Sequence, residues 1–293
     1  VKNGTGNLTF GVANTYLGTT TVNNGTLTVG NINALGSGAT QSSSITVASG
    51  ATLTMNANGT FGNTNSLTLN GVGITAAGAL ISTTGTSTMI NPITLAGNTT
   101  FGGTNGLTLN GIINDGGNGF GITKLGAGTL TLGGSNTFTG STSINVGTMT
   151  LSNTNALGSG VTQSSGITVT ATGAVLNLNF ATSTFGNTNN ITLNGTGISS
   201  AGALIASTST PTLSNDITLG SNTTIGGASS MILNGIITDG GNGYSLTKVG
   251  AGTITLGGNN VFSGGVIINT GTLRALHAGA FGTTGAIAVN NAA

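Results

Sequence analysis

Thr123-Lys124-Leu125-Gly126-Ala127-Gly128-Thr129-Leu130-Thr131-Leu132-Gly133-Gly134 returns as Thr247-Lys248-Val249-Gly250-Ala251-Gly252-Thr253-Ile254-Thr255-Leu256-Gly257-Gly258. A more divergent copy, Val1-Lys2-Asn3-Gly4-Thr5-Gly6-Asn7-Leu8-Thr9-Phe10, opens the chain. Lys2, Lys124 and Lys248 stand 122 and then 124 residues apart. The intervening text keeps step, since residues 34–38 recur as 156–160 and residues 61–65 as 185–189. Self-similarity on this scale marks an array in which each unit buries its apolar face against a neighbour. The repeats run over about residues 1–122 and 123–246, with a partial third over 247–293.

Within the repeats, Leu, Ile, Val or Met alternates with Thr, as in Gly25-Thr26-Leu27-Thr28-Val29, Ser66-Leu67-Thr68-Leu69 and Ile191-Thr192-Leu193. Period-two alternation predicts half-buried strands with Thr outward. Asn-Gly pairs such as Asn70-Gly71 and Asn194-Gly195 supply corners. No segment carries a helical period with caps, so the chain reads as all-β. The long repeat and a strand spacing of roughly 20 to 27 residues favour a solenoid over hairpin meanders, whose turns recur every 8–12 residues. The expectation is one continuous right-handed parallel β-helix over residues 1–293, with about 12–14 coils and a length on the order of 60 Å.

Charged residues make up only 2% of the chain, and its net charge is +1. That leaves no field to attract nucleic acid or an anionic membrane. A near-neutral surface suits a protein that assembles with copies of itself or is coated with sugar. There is no cysteine, hence no disulfide or thiolate metal site. No run of eighteen apolar residues predicts a spanning helix. The chain starts inside one repeat and stops inside another, at Asn290-Asn291-Ala292-Ala293, and reads as part of something larger.

Gly126-Ala127-Gly128-Thr129-Leu130-Thr131-Leu132-Gly133-Gly134-Ser135-Asn136-Thr137-Phe138-Thr139-Gly140, with Thr142 to Met149 behind it, resembles the passenger-associated repeat (autotransporter-associated β-strand repeat) of bacterial autotransporters. The pattern recurs from Lys2 to Leu27, with Asn14-Thr15-Tyr16-Leu17-Gly18 at its middle, and from Lys248 to Leu273, with Asn260-Val261-Phe262-Ser263-Gly264. Ala34-Leu35-Gly36, Ala156-Leu157-Gly158 and Ala280-Phe281-Gly282 match what tends to follow. The resemblance implies a right-handed parallel β-helix displayed on a bacterial surface.

Candidate chemistry is sparse. Asp115 and Asp239 occupy equivalent places in Asp-Gly-Gly-Asn-Gly segments. They stand roughly 25 Å apart along a solenoid, too far to share a substrate. Asp216 falls about one coil before Asp239 and could approach it, but Pro92 takes its place in the first copy. All three aspartates read as turn-capping residues. Each repeat Asp precedes a Lys by nine positions, Asp115 with Lys124 and Asp239 with Lys248, which predicts a cross-turn ion pair. His277, beside Arg274, is the single histidine and reads as a surface residue without metal partners. The aromatic residues read as core or corner packing. Asn-x-Thr sequons at Asn3, Asn7, Asn24, Asn58, Asn98, Asn194 and Asn222 are as expected for this composition.

No catalytic, cofactor or metal residue is assigned, and the chain reads as a non-enzyme. The leading expectation is an extracellular structural module of a bacterial fibre, sheath or stalk that associates with neighbouring copies. The alternative is an adhesin that meets a glycan or cell-surface partner, although no loop stands out. Ice binding through Thr26/Thr28, Thr52/Thr54, Thr129/Thr131 and Thr253/Thr255 is a distant third, because those pairs recur too unevenly.

Overall fold

The computed structural model describes residues 1–170, 172–283 and 285–290. Residues 291–293, where the third repeat breaks off, lie outside the described residues. The fold is an all-β parallel solenoid of about 12 turns, with almost no helix. Two compact units are distinguished, Val1–Thr142 with Ala156–Ser164, and Ser143–Asn155 with Ser165–Ala293.

In the first unit, alternation turns every second side chain of these strands inward, and parallel pairing, in register apart from one shift between Leu95 and Thr99, stacks like on like. Leu8, Leu27, Leu53, Leu80 and Phe101 are successive partners in one column, which continues to Lys124. A second column runs Ile45, Leu67, Ile93 and Ile113. Apart from Leu8 and Lys124, these residues are fully or almost fully buried aliphatic and aromatic groups. Each such Leu or Ile contributes about 1.5–3 kcal/mol on leaving water. The outward residues of the same strands form the file Thr21, Thr46, Thr68, Thr94 and Asn114, all half-exposed.

The second unit repeats this plan. Met149, Leu176, Leu204, Ile225, Lys248, Ile268 and Val289 pair in succession. Ile167, Ile191, Ile217 and Ile237 form the companion column, with Thr168, Thr192, Thr218 and Thr238 outward.

The expectation of outward threonines fails at Thr52 and Thr54, which are 3% and 7% exposed. A short 3-10 turn, Ile74–Ala76, folds over this strand. The Thr52 hydroxyl donates to the Gly78 carbonyl at 3.0 Å and accepts from the Ile74 N–H at 2.9 Å. Thr75 and Ala76 hold φ of 51° and 58° in that turn, and Ser199 and Ser200 hold 50° and 60° in its counterpart Ile198–Ser200. Such non-glycine conformations persist only where their surroundings impose them.

The other departure is a pair of antiparallel hairpins. Gly36–Ser37 pairs with Thr40–Gln41, and Gly158–Ser159 pairs with Thr162–Gln163, each as a separate two-stranded ribbon. The sequence reading found no loop that stood out, whereas these tips project. Val161 is 96% exposed.

Candidate functional site

The repeat motif opens on a lysine that alternation turns inward. Lys124 ends the strand Ile122–Lys124 and is 2% exposed, and Lys248 ends Leu246–Lys248 and is 0% exposed. In the second unit Lys248 lies between Ile225 and Ile268 in its column. The four-carbon stem fills apolar space while the head seeks polar partners. Lys248 Nζ donates to the carbonyls of Val249 at 2.8 Å, Gly250 at 2.6 Å and Thr270 at 3.1 Å. Lys124 Nζ donates to Leu125 at 3.1 Å and Gly126 at 2.5 Å. Lys2, half-buried at the start of the first unit, donates to the carbonyls of Gly4 and Asn24. Burial lowers both Lys124 and Lys248 from 10.5 to about 8.

Glycine leaves the room that these heads occupy. A Cβ on Gly25 would lie 2.5 Å from Lys2 Nζ, and one on Gly271 would lie 2.6 Å from Lys248 Nζ. Both glycines sit at positive φ, 74° and 75°. The motif thus couples a lysine to a glycine in the following coil.

The middle of the motif is a second clamp. Asn136 Oδ1 accepts from the Ile113 N–H at 2.8 Å, and its Nδ2 donates to the Ala156 carbonyl at 2.6 Å. In the second unit Asn260 does the same with Ile237 at 2.7 Å and Ala280 at 2.6 Å. Asn14 reaches the Ala34 carbonyl at 2.8 Å. Each amide thereby fastens the motif to the Ala-Leu-Gly or Ala-Phe-Gly that follows it. Two residues further on, Phe138 and Phe262 are 0% exposed and fill the core.

The aspartates form a third clamp. Asp115 Oδ1 accepts from the Gly117 N–H at 3.0 Å. Its Oδ2 accepts from the N–H of Phe120 at 3.0 Å and from the N–H and hydroxyl of Thr139 at 3.2 and 2.8 Å. Asp239 accepts from Gly241, Gly243 and Tyr244 N–H groups at 2.9 to 3.0 Å, and from the N–H and hydroxyl of Ser263 at 3.0 and 2.9 Å. Burial pushes the Asp239 carboxyl up, but the donors from Ser263, Gly241 and Tyr244 outweigh it and bring it down to about 2. Asp115 is lowered by the same balance, its burial opposed by Thr139, Gly117 and Phe120.

The expected Asp–Lys ion pairs are corrected by this geometry. Each Asp lies before the strand, wrapped in its own loop amides and the next coil's hydroxyl. Each Lys leaves the far end of that strand and turns into the corner behind it. Asp239 takes backbone N–H groups and the Ser263 hydroxyl, while Lys248 takes backbone carbonyls.

The remaining candidates stay apart. Asp216 is exposed and accepts from the Ile236 N–H at 2.8 Å. Pairing of Ile217 with Ile237 puts Asp239 three positions further along, roughly 10 Å away. His277 is exposed and its Nδ1 accepts from the Gly279 N–H at 3.0 Å. Among the described residues no three His, Cys, Asp or Glu side chains gather as a metal site. Nor is any helix there long and apolar enough to cross a membrane.

The second unit also carries an outer groove of about 520 Å³. Its lining includes Ala201, Ile205, Ala228, Val249 and Ala251 over the backbone of Gly227 and Gly250. Three successive coils build it, because Leu204, Ile225 and Lys248 are partners.

Comparison with curated proteins and with solved structures gives no match. The family model described as passenger-associated-transport-repeat matches at residues 1–29, 122–151 and 246–275. That family implies a secreted, surface-exposed protein, and with the solenoid fold it suggests a non-catalytic passenger region. The chain therefore contains three passenger-associated-transport-repeats, in keeping with the repeat region of an autotransporter passenger, and each opens on one of its three lysines.

Proposed function

We propose that the chain is a non-enzymatic structural module of a bacterial surface fibre, sheath or stalk, associating with neighbouring copies outside the cell. One observation carries this reading. The buried charged groups in and just before the motif are spent inside the solenoid: Lys248 on the adjacent Val249 and Gly250 carbonyls and on Thr270 of the next coil, Asp239 on three amides of its own loop and on Ser263 of the next coil. Stacked coils extend length without new design, and files of neutral Thr present little charge repulsion between neighbours. Electron microscopy of the protein on its native cells tests the reading. Regular filaments or a layered sheath support it, and isolated, non-assembling molecules overturn it.

The adhesin reading draws support from the projecting hairpins Gly36–Gln41 and Gly158–Gln163. It requires that removing both tips abolish cell attachment while leaving assembly intact.

A further inference from the structure

The alternation that builds the columns does not by itself choose their register. Leu246-Thr247-Lys248 differs from Ile191-Thr192-Leu193 and Ile217-Thr218-Leu219 chiefly in its last residue. A one-residue slip would turn apolar side chains outward and is excluded, but a two-residue slip keeps every face. In the observed register Leu246 lies against Val266 and Thr247 against Ile267. Slid by two positions, Leu246 would stand against Ile268 and Thr247 against Asn269, with inward residues still meeting inward residues.

Coil length does not choose the register either. The column returns from Leu176 to its partner Leu204 in 28 residues and from Leu204 to Ile225 in 21. In the first unit the return from Leu53 to Leu80, between the corresponding strands, takes 27. Corners take up extra residues while the strands stay paired. The coil behind the motif's lysine is different. Lys2 to Val22 and Lys248 to Ile268 are both returns of 20 residues. Lys2, Lys124 and Lys248 each precede a glycine by 23 positions, at Gly25, Gly147 and Gly271.

We propose that Lys248, with Gly271 one coil on, selects the register of the second unit by excluding the two-residue slips that its Leu/Thr pattern permits. Lys248 is 0% exposed, and its ammonium meets the Val249 and Gly250 carbonyls of its own corner and the Thr270 carbonyl of the next coil. Gly271, at φ 75°, leaves room there for the ammonium and for the Gly250 carbonyl. Slid by two positions, Lys248 would stand against Thr270 instead of Ile268, and Gly271 would no longer lie beside its head. An ammonium that loses partners inside a core disfavours that state by more than about a hundredfold. A leucine in its place would carry no such preference. The device belongs to the fold and is independent of the fibre and adhesin readings.

The test uses the full chain, which has no cysteine of its own, so introduced pairs report register directly. Thr247→Cys with Ile267→Cys joins outward partners of the observed register. Thr247→Cys with Asn269→Cys joins positions roughly 8 Å apart between Cα atoms, beyond the reach of a disulfide unless the strand slides. Each pair is refolded from urea under reducing conditions and oxidised, and linked peptides are quantified by mass spectrometry. With lysine at 248, only the 247–267 link is expected. In Lys248→Met the 247–269 link should rise at least about tenfold while the thermal midpoint holds or rises. Leu204→Met, the same replacement at an apolar place in the column, should still give only 247–267.

A Lys248→Met chain that forms only the 247–267 link overturns the proposal, because the apolar pattern then suffices. So does a Lys248→Met chain with no strand signal in circular dichroism, which makes the lysine a requirement of folding rather than a choice between registers. An equal rise of the 247–269 link in Leu204→Met overturns it as well, since any change in the core then loosens the pairing.

Discussion

A Cβ atom on Gly271 would lie 2.6 Å from the ammonium of Lys248, inside any tolerable contact. The same interval of sequence separates Lys2 from Gly25, where the distance is 2.5 Å. Lysine and glycine recur together in a crowded corner, where the Gly4 and Gly6 carbonyls beside Gly25 and the Gly250 carbonyl beside Gly271 stand as close as the lysine head, and both glycines hold positive φ.

Gly271→Ala should therefore destabilise the second unit by about 1–3 kcal/mol. It combines a clash with the Lys248 head and the Gly250 carbonyl with a residue forced to φ of 75°. Gly166→Ala is the control, since nothing lies within 4 Å of its Cβ. Urea denaturation of both variants measures the difference.

Replacing the lysine separates stem from head. Lys248→Met keeps most of the packing between Ile225 and Ile268, whereas Lys248→Ala leaves a cavity and should cost about 2 kcal/mol more. Titration adds a second readout. Lys248 is held at about 8 in the folded chain against 10.5 unfolded. Below pH 8 both states carry the proton and the cost of burying it is complete. Between about 8 and 10.5 the unfolded state binds more protons, so stability rises with pH, by on the order of 1 kcal/mol per unit. That rise should shrink in Lys248→Met.

Asp239→Asn replaces an acceptor for five donor contacts with a group that is itself partly a donor. A loss of about 3 kcal/mol is expected at neutral pH. The folded carboxyl lies at about 2 against 3.8 unfolded, so its contribution is complete above 3.8 and disappears as pH falls through about 2. Unfolding curves from pH 5 to 2 should converge between the unaltered chain and the variant. A double-mutant cycle with Ser263→Ala should show coupling of about 1 kcal/mol.

Asn260→Ala removes two inter-coil bonds at once, to the Ile237 N–H and the Ala280 carbonyl. A cost of about 2 kcal/mol follows. Faster hydrogen exchange at the Ile237 amide, with the Lys248 strand still protected, would localise the effect.

Much of this architecture was legible in one dimension. Alternation in Leu67-Thr68-Leu69 and Ile191-Thr192-Leu193 set which side chains face inward, and it did so because a strand has only two faces. Repetition then required parallel stacking, since identical faces bury one another only in register. The Asn-Thr-Phe-Thr-Gly and Ala-Leu-Gly segments announced the motif, though not that Asn136 joins the two through the Ala156 carbonyl.

The chain's own letters determined an all-β solenoid, its inward columns and the three places where its motif recurs, because local periodicity decides those. Only the folded coils decided where the charges go. Nine residues between Asp239 and Lys248 suggested a pair, yet the strand carries their heads to different corners, where backbone groups meet them first. Burial of Thr52, projection of Val161 and the groove at Val249 likewise belong to tertiary structure. Each depends on which residues of neighbouring coils lie side by side, and no spacing within a single strand encodes that.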